Sequence, residues 1–245
     1  MKGIILAAGK GTRMLPATSV VNKNLIPILN IPLITYSVEA LVALGVDKIM
    51  IVASKNDLGP IASYLGDGSD FGVNFNYSIQ KEQKGISHAI LVARDFIREN
   101  ENFAVCLADN IFDADFIKNN FGNILSKNDG NTHIFAKKVD DPKRFGVAVI
   151  ENDKVTGVEE KPQNPKSDLA VTGLYIFPQS VFGIIDTLKP SARGEYEVTD
   201  AILDYVNNGL CTHHILDGFW SDAGTPESLL AVANHMFAKA KKSNI

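Results

Sequence analysis

The residues best suited to chemistry lie near the start of the chain, in the stretch GIILAAGKGTRMLPATSVVNKNLIP from Gly3 to Pro27. An apolar run ends in a glycine-containing loop that carries Arg13 and is followed by Lys23. Glycines let backbone N–H groups approach phosphate oxygens, and an arginine adds a planar bidentate donor. The stretch therefore predicts a site for a phosphate-bearing ligand, with an ordinary glycine turn as the plain alternative.

The loop fits neither of two well-known phosphate-binding patterns. A Walker A loop needs a glycine where Ile4 stands and a serine or threonine where Gly11 stands. The dinucleotide pattern G-x-G-x-x-G fails at Met14, and the second strand ends in VASKN without the expected acidic residue. These mismatches argue against a P-loop protein. They also make a nicotinamide-dependent oxidoreductase a much less favoured function than the alternatives given below.

Strands and helices alternate over roughly the first 120 residues, and this alternation predicts a parallel, doubly wound sheet. We expect strands at Lys2–Ala8, Lys48–Ala53, Val73–Ile79 and Phe103–Ala108, and helices at Pro32–Leu44, Asp57–Leu65 and Gly85–Asn100. Ligands of such sheets bind outside the carboxyl ends of the strands, where the Gly9–Pro16 loop leaves the first strand.

The second half of the chain has the pattern of a more antiparallel structure. We expect strands at His133–Val139, Gly146–Ile150, Val155–Glu160 and Val171–Phe177, and helices at Val181–Leu188 and Thr199–Asn207. The last helix is predicted to begin at TPES with Thr225 as its N-cap. The predicted fold is one mixed α/β domain over residues 1–245, with a Rossmann-like, mainly parallel sheet flanked by helices and a smaller antiparallel portion. The boundary between the two halves is expected at about residue 125.

Composition excludes several classes of protein. The net charge of −4 argues against a nucleic-acid polymer as partner, since such binders usually present a basic face. The two cysteines, Cys106 and Cys211, are expected to be free thiols of a cytoplasmic protein. No apolar run has the length of a membrane span, and the N-terminus enters a strand directly, so neither a membrane partner nor a signal peptide is expected.

The longer pattern L-A-A-G-x-G-T-R-x-x-P, followed by the lysine of NKNLIP, resembles the signature of sugar-1-phosphate nucleotidylyltransferases. Further segments resemble the glucose-1-phosphate thymidylyltransferase branch in the same order and at nearly the same spacing: LGDGSDFGV, LADNIF, PKRFGV, VEEKPQNPKSDLAVTGLYIF, KPSARGEYEVTD and SDAGTPESL. The resemblance covers almost the whole chain, and several motifs in register are far more specific than any one of them.

The resemblance implies that a sugar 1-phosphate oxygen attacks the α-phosphorus of a nucleoside triphosphate and expels pyrophosphate. Two polyanions must meet, so the protein mainly neutralises and aligns charge, and no nucleophilic side chain is required. By the resemblance, Arg13 would contact the leaving pyrophosphate, Lys23 the α-phosphate, and Asp109 and Asp222 would hold Mg²⁺. The implied nucleotide-binding set is Leu6, Ala8, Gly9, Gly11, Thr12, Arg13, Lys23, Gln80, Gly85 and Asp109.

The resemblance also implies a sugar-phosphate site in the second half. Lys161, in EEKP, would bind the sugar phosphate and complete the implied catalytic set with Arg13 and Lys23. Sugar hydroxyls would be contacted by Glu160, the Gly146 backbone, Val171 and Thr172. Arg193, in SARGE, would either assist with phosphate or form a structural ion pair with a nearby acid. The plain alternative for Glu159–Lys161 is a charged strand end.

The identity of the base stays open between dTTP and UTP. Family members read the pyrimidine with a glutamine and a glycine in QPxPxGLAQA, and this chain has QKEQKGISHA, which keeps Gln80 and Gly85 but lacks the prolines. The segments QKEQKGISHAI and GTRMLPAT resemble UDP-glucose pyrophosphorylases. The second half, and the lack of the long insertion of those enzymes, resemble the thymidylyl branch. A catalytically silent nucleotide-sugar-binding regulator is the alternative outside the enzyme class.

Three departures from the family pattern limit what is carried over. Ala8 stands where a glycine is usual, and Ile31 stands where a lysine usually precedes Pro32. The chain ends soon after its ESLL helix, so we expect no effector site or subunit contact built from the C-terminal extension of longer relatives.

Homo-oligomers are common in the family, but the sequence carries no decisive interface signal. We expect no zinc site, since His213 and His214 would face opposite sides of a strand, and we expect His88 to pack.

Overall fold

The computed structural model describes residues 1–243 and has a mixed β-sheet at its centre. The strands are β1 Lys2–Leu6, β2 Pro27–Ile28, β3 Ile31–Pro32, β4 Lys48–Ala53, β5 Asn74–Ile79, β6 Asn102–Leu107, β7 Asn110–Phe112, β8 Thr132–Lys138, β9 Gly146–Glu151, β10 Lys154–Glu160, β11 Leu169–Pro178, β12 Cys211–Ile215 and β13 Trp220–Asp222. The α-helices are α1 Leu33–Ala43, α2 Leu58–Leu65, α3 Ile86–Leu91, α4 Ala114–Phe121, α5 Val181–Thr187, α6 Val198–Asn207 and α7 Pro226–Ser243.

The first half forms a parallel sheet in the order β6-β1-β4-β5, as the alternation of strands and helices predicts. All residues of β1 are buried, because helices cover both faces of the sheet. Successive side chains of β1 therefore enter different cores. Ile5 packs with Ile49 and Ile51 on one face, whereas Ile4 packs with Phe103 on the other.

The second half continues the sheet in the antiparallel direction. Strand β11 pairs antiparallel with β6, and it also pairs with β8 and β9. Strands β9 and β10 form a hairpin whose turn residues Asn152 and Asp153 have φ values of 49° and 62°, as a tight turn between twisted strands requires. The predicted mixed fold with a smaller antiparallel portion is confirmed.

The helix predicted over Gly85–Asn100 is shorter than its apolar spacing suggests. The α-helix covers Ile86–Leu91, and a 3₁₀ turn follows at Arg94–Phe96. Ile97, directly after this 3₁₀ turn, is buried. The Arg94 guanidinium donates to Asp186 on α5 at 2.7 Å. Both conformations bury apolar residues at this spacing, so the sequence pattern did not separate them.

Two elements absent from the sequence prediction shape the carboxyl edge of the sheet. Helix α4 has Asp113 as its N-cap, with the carboxylate accepting from the Phe116 N–H. Strands β7 and β13 form a small antiparallel sheet in which Asp222 lies opposite Asn110. This pairing brings the WSDAG segment to the end of β6.

Among the described residues, no helix is long and apolar enough to cross a membrane. Both cysteines are free thiols: Cys106 is fully buried in β6 and Cys211 is partly buried in β12. Burial raises the pKa of each thiol to about 12, so neither is a reactive thiolate at neutral pH. His213 lies against Asp153, whereas His214 stacks on His133.

Candidate active site

Two adjoining cavities lie at the carboxyl ends of the parallel strands. The larger has a volume of about 470 Å³ and follows the glycine loop after β1. The smaller, about 200 Å³, lies between the ends of β6, β10 and β11. Arg13, Ile86, Leu107 and Asp109 line both cavities. Groups bound in the two cavities would therefore meet beside Arg13 and Asp109.

The glycine loop forms one wall of the larger cavity. Gly9, Lys10, Thr12 and Arg13 face the cavity, whereas Gly11 does not line it. Gly11 instead shapes the loop: its φ is 63°, and a Cβ there would lie 2.9 Å from Thr18 Cγ2. A glycine is required at this position for conformation and for space, not for direct approach to a ligand.

Two asparagines hold Lys23 at the junction of the cavities. The fully buried Asn24 donates from Nδ2 to the Ala7 carbonyl at 3.0 Å, and Asn22 Oδ1 accepts from the Asn24 N–H. These bonds tie the lysine turn to the end of β1. The Lys23 ammonium lies 2.6 Å from Asp109 Oδ2, with little of either side chain exposed.

The Asn110 side chain makes three hydrogen bonds that position Asp109 and the strand carrying Asp222. Its Nδ2 donates to Asp109 Oδ1 at 3.0 Å, and its Oδ1 accepts from the Gly173 N–H at 2.9 Å and from Trp220 Nε1 at 2.8 Å. A Cβ on Gly173 would lie 2.6 Å from Asn110 Cγ, so only glycine lets β11 approach this closely. Asp222 follows Trp220 on β13, opposite Asn110, which places both carboxylates at one corner.

The pKa values of the two carboxylates shift in opposite directions. Burial raises the pKa of Asp109, but the Lys23 ammonium and hydrogen bonds outweigh burial and hold it below its usual range. Burial also raises the pKa of Asp222, and the nearby Asp109 charge adds to that rise. Arg144 at 3.6 Å and Arg13 at 3.9 Å from Asp222 offset it only in part.

This donor set fits a magnesium ion that shares its coordination with phosphate. No cluster of three or more His, Cys, Asp or Glu side chains with metal-site geometry occurs in residues 1–243. Mg²⁺ is commonly held by one or two carboxylates together with substrate phosphates and waters. The buried Asp222 carboxylate, whose charge Arg144 and Arg13 compensate only in part, is the group that a cation would stabilise.

The smaller cavity contains most of the sugar-phosphate set predicted from the sequence. Gly146, Glu160, Lys161 and Val171 all line it. A Cβ on Gly146 would lie 2.8 Å from Thr199 Cγ2 and 3.5 Å from a Glu160 oxygen, so glycine keeps space for the Glu160 carboxylate. Burial raises the pKa of Glu160.

Lys161 has a backbone conformation unusual for a lysine. Its φ is 44°, and its N–H donates to the Phe145 carbonyl at 3.0 Å. The ammonium lies 3.6 Å from a Glu160 oxygen and is 46% exposed, so it is available to an incoming anion. A non-glycine residue in the left-handed region often marks a functional site.

Two members of the predicted sugar-phosphate set are not brought to the cavity wall. Thr172 is fully buried and lines neither cavity, and its hydroxyl has no hydrogen-bond partner among residues 1–243. Arg193 lies within 2.8 Å of Glu197, 3.1 Å of Glu160 and 3.6 Å of Glu195. This arrangement is the structural ion pair that the sequence left as the alternative for Arg193.

The base-reading residues implied by the family pattern both line the larger cavity. Gln80 is buried at the end of β5, and Gly85 precedes α3 with a φ of 100°. A Cβ on Gly85 would lie 2.6 Å from the Tyr196 carbonyl oxygen. The neighbouring Gln83 donates from Nε2 to the Ala8 carbonyl, so the segment after β5 touches the glycine loop across the cavity.

Among the residues of the site that sequence reasoning missed are Gln83, Asn110 and Arg144. Arg144 lies in the PKRFGV motif and Asn110 in LADNIF, so the motifs themselves were the available signal. Their contacts, to Asp222 and to Gly173 and Trp220, join segments far apart in the chain and left no local pattern.

Comparison with known proteins shows which proteins the chain resembles. A family model described as Nucleotidyl transferase matches residues 2–239. The glucose-1-phosphate thymidylyltransferase of Neisseria meningitidis is 40% identical over 237 residues, which are 96% of this chain and 82% of that protein. The enzyme of the same name from Mycolicibacterium smegmatis is 40% identical over 94% of this chain and 80% of its own length.

Two solved structures are also similar to this chain. A Bacillus anthracis protein assigned as a glucose-1-phosphate thymidylyltransferase, solved with a sucrose, superposes with a TM-score of 0.88 at 43% identity, covering 96% of this chain and 94% of that one. A UDP-glucose pyrophosphorylase complexed with UDP-glucose superposes with a TM-score of 0.83 at 28% identity, covering 97% and 98% of the two chains.

Proposed function

Because the chain belongs to the nucleotidyl transferase family, we propose that it transfers a thymidylyl group from dTTP to glucose 1-phosphate, forming dTDP-glucose and pyrophosphate. The relatives named as thymidylyltransferases match it at higher identity than the UDP-glucose pyrophosphorylase, so dTTP is favoured over UTP. The observation that carries the proposal is the junction of two cavities beside Arg13 and Asp109, with Lys23 on the wall of the larger cavity and Lys161 on the wall of the smaller.

The larger cavity suits the nucleoside triphosphate. The backbone and side chains of the glycine loop line one wall, and Gln80 and Gly85 line another. A triphosphate along the loop would place its leaving pyrophosphate near Arg13, which is 57% exposed and free to move toward it. Its α-phosphorus would then lie near Lys23, at the opening into the smaller cavity.

The smaller cavity suits the sugar phosphate. Lys161 supplies a cation on its wall, and the Glu160 carboxylate can accept hydrogen bonds from sugar hydroxyls. Binding here would hold a phosphate oxygen in line with the α-phosphorus, so that pyrophosphate leaves on the opposite side. Alignment of two bound anions supplies much of the rate enhancement in such transfers.

Lys23 is proposed to exchange partners during the reaction. Without substrate its ammonium pairs with Asp109 at 2.6 Å. When bound, Mg²⁺ held by Asp109 and Asp222 would supply Lewis-acid stabilisation of phosphate charge. The Lys23 ammonium would contact the α-phosphate, where negative charge is redistributed, and this contact would replace its pair with Asp109.

A substrate matrix tests the proposal. The purified chain is assayed for pyrophosphate release with dTTP, UTP or CTP, each with glucose 1-phosphate or another hexose 1-phosphate, with Mg²⁺ present. We expect the highest kcat/KM for dTTP with glucose 1-phosphate. A higher value with UTP would replace the proposed nucleotide, and no release with any pair would favour a silent nucleotide-sugar-binding regulator.

A charge variant serves as the matched control. Arg94→Gln disturbs an arginine that pairs with Asp186 and lines neither cavity, whereas Arg13→Gln disturbs an arginine that lines both. We expect the Arg13 change to lower kcat much more than the Arg94 change. Equal losses would contradict the place given to Arg13.

A further inference from the structure

We propose that His88 sets the orientation of the Gln80 amide and thereby makes the site select thymine or uracil over cytosine. This positioning role rests on the proposed function. Gln80 Nε2 lies 3.1 Å from His88 Nδ1. An amide Nε2 carries only donors, so the contact requires Nδ1 to accept and the imidazole to carry its proton on Nε2.

The Gln80 amide presents its remaining hydrogen-bonding groups to the larger cavity. The residue is only 4% exposed and lines that cavity. Its Oε1 has no hydrogen-bond partner within residues 1–243, and it is not among their fully enclosed unpaired atoms. The oxygen therefore reaches the cavity space, and the second Nε2 proton remains to be donated.

The His88 ring is held on its other side by Tyr196. The two rings stack with centroids 6.4 Å apart and an interplanar angle of 27°. The Tyr196 backbone is hydrogen-bonded to the start of α3. Its N–H donates to the Lys84 carbonyl at 2.8 Å, and its carbonyl accepts from the Ser87 N–H at 3.2 Å. These bonds hold Tyr196 against His88, so the imidazole keeps its position beside Gln80.

The orientation matters because thymine and cytosine present opposite patterns at the edge that a glutamine can read. Thymine and uracil offer an N3–H donor beside an O4 acceptor, whereas cytosine offers an N3 acceptor beside an N4 donor. An amide with its oxygen and nitrogen fixed can match only one of these patterns. A glutamine free to rotate by 180° about its last bond can match either pattern, so it discriminates poorly.

Three variants test the role of His88. His88→Leu removes the acceptor and keeps apolar bulk against Tyr196, whereas His88→Asn places an amide oxygen near the position of Nδ1 and should restore the acceptor. His213→Leu makes the same change on β12, where the ring contacts Asp153 outside both cavities. For each variant kcat and KM are measured with dTTP, UTP and CTP, and folding is checked by the melting temperature.

We expect His88→Leu to lower the dTTP-to-CTP ratio of kcat/KM by roughly tenfold or more, the factor typical of one mismatched buried hydrogen bond. The change should lie in KM while kcat for dTTP stays near wild type, since base contacts are made equally before and during transfer. His88→Asn should recover most of the ratio, and His213→Leu should keep it. A folded His88→Leu with the wild-type ratio would overturn the proposal.

A measurement on the unsubstituted protein keeps the proposal testable if His88→Leu does not fold. The ¹⁵N shifts of the imidazole nitrogens, assigned with His88→Asn, report which nitrogen carries the proton. We expect the Nε2–H form, and an Nδ1–H form would overturn the proposed amide orientation. Failure of the proposed function is separable: a wild-type chain that uses no pyrimidine nucleotide refutes the reaction, whereas normal turnover with an unchanged ratio refutes only the role of His88.

Discussion

Replacing Lys23 with methionine should separate the structural from the chemical role of this lysine. The Lys23 ammonium lies 2.6 Å from Asp109 Oδ2, and the side chains are 10% and 17% exposed. Removing one partner of a fully buried ion pair costs about 3–5 kcal/mol of unfolding free energy. Because the pair keeps some solvent contact and Asn110 still donates to Asp109, we expect a loss of about 2–3 kcal/mol.

The assay is a double-substitution cycle with Lys23→Met, Asp109→Asn and the combined variant. Urea unfolding without nucleotide or divalent cation gives each free energy of unfolding. The combined variant leaves no unpaired charge at this contact, so it should be more stable than the sum of the single losses predicts, by about 1 kcal/mol or more. Activity should not follow this recovery: every variant lacking Lys23 should lose roughly 10²–10³ in kcat, the usual cost of one charge-stabilising group.

A matched control lies in the glycine loop. Lys10→Met makes the same change at an exposed lysine, and its stability should stay within about 0.5 kcal/mol of the unsubstituted protein. The reasoning is refuted if Lys23→Met is as stable as Lys10→Met, or if the two losses in the cycle simply add. Recovery of activity in the combined variant would remove Lys23 from the chemistry.

Four further predictions concern other parts of the site and fold. Arg13→Ala should lose roughly 10²–10³ in kcat with a nearly unchanged melting temperature, because its side chain is 57% exposed; near-normal turnover would remove its role. Asp222→Asn should shift the Mg²⁺ titration of activity to higher concentration, and an unshifted titration would exclude it from metal binding. Gly85→Ala should lower the melting temperature and dTTP turnover, since its φ is 100° and the new Cβ would lie 2.6 Å from the Tyr196 oxygen; normal values of both would contradict the packing. Burial lowers the pKa of His214 to about 4 from 6.5, so the unfolded chain binds the proton first as pH falls. Stability should therefore be complete above about pH 7 and fall by about 3 kcal/mol toward pH 4, and His214→Phe should flatten that slope in urea unfolding at each pH.

Patterns that are local in the chain were enough to predict the parallel half of the sheet and the place of the phosphate loop. The fully apolar β1 run predicts a strand covered on both faces, and the glycine loop after it must lie at the carboxyl edge. Nine of the ten residues implied for nucleotide binding line the larger cavity, and Gly11 shapes the loop instead. Strand and loop positions can be predicted in this way because backbone conformation and burial follow from neighbouring residues, whereas the nucleotide-binding set was implied by the family resemblance.

Local patterns failed where two conformations satisfy the same pattern. The apolar spacing after Gly85 fits a long helix, yet the chain tightens into a 3₁₀ turn after Leu91. Thr172 belongs to a motif associated with sugar binding, but the register of β11 against β8 shifts between Val171 and Tyr175, and its hydroxyl is enclosed. Pairing with a distant strand decides such side-chain directions.

The sequence by itself therefore determined the fold class, the family and the position of the phosphate loop. The tertiary structure decided which charges face one another. The pairing of β7 with β13 brings Asp222 to Asp109, and Asn110 accepts hydrogen bonds from Gly173 and Trp220, which lie 63 and 110 residues further along the chain. The orientation of Gln80 likewise depends on His88 and on Tyr196. Hydrogen bonds and ion pairs act over a few ångströms in space, so residues far apart in the chain reveal them only once the backbone has brought them together.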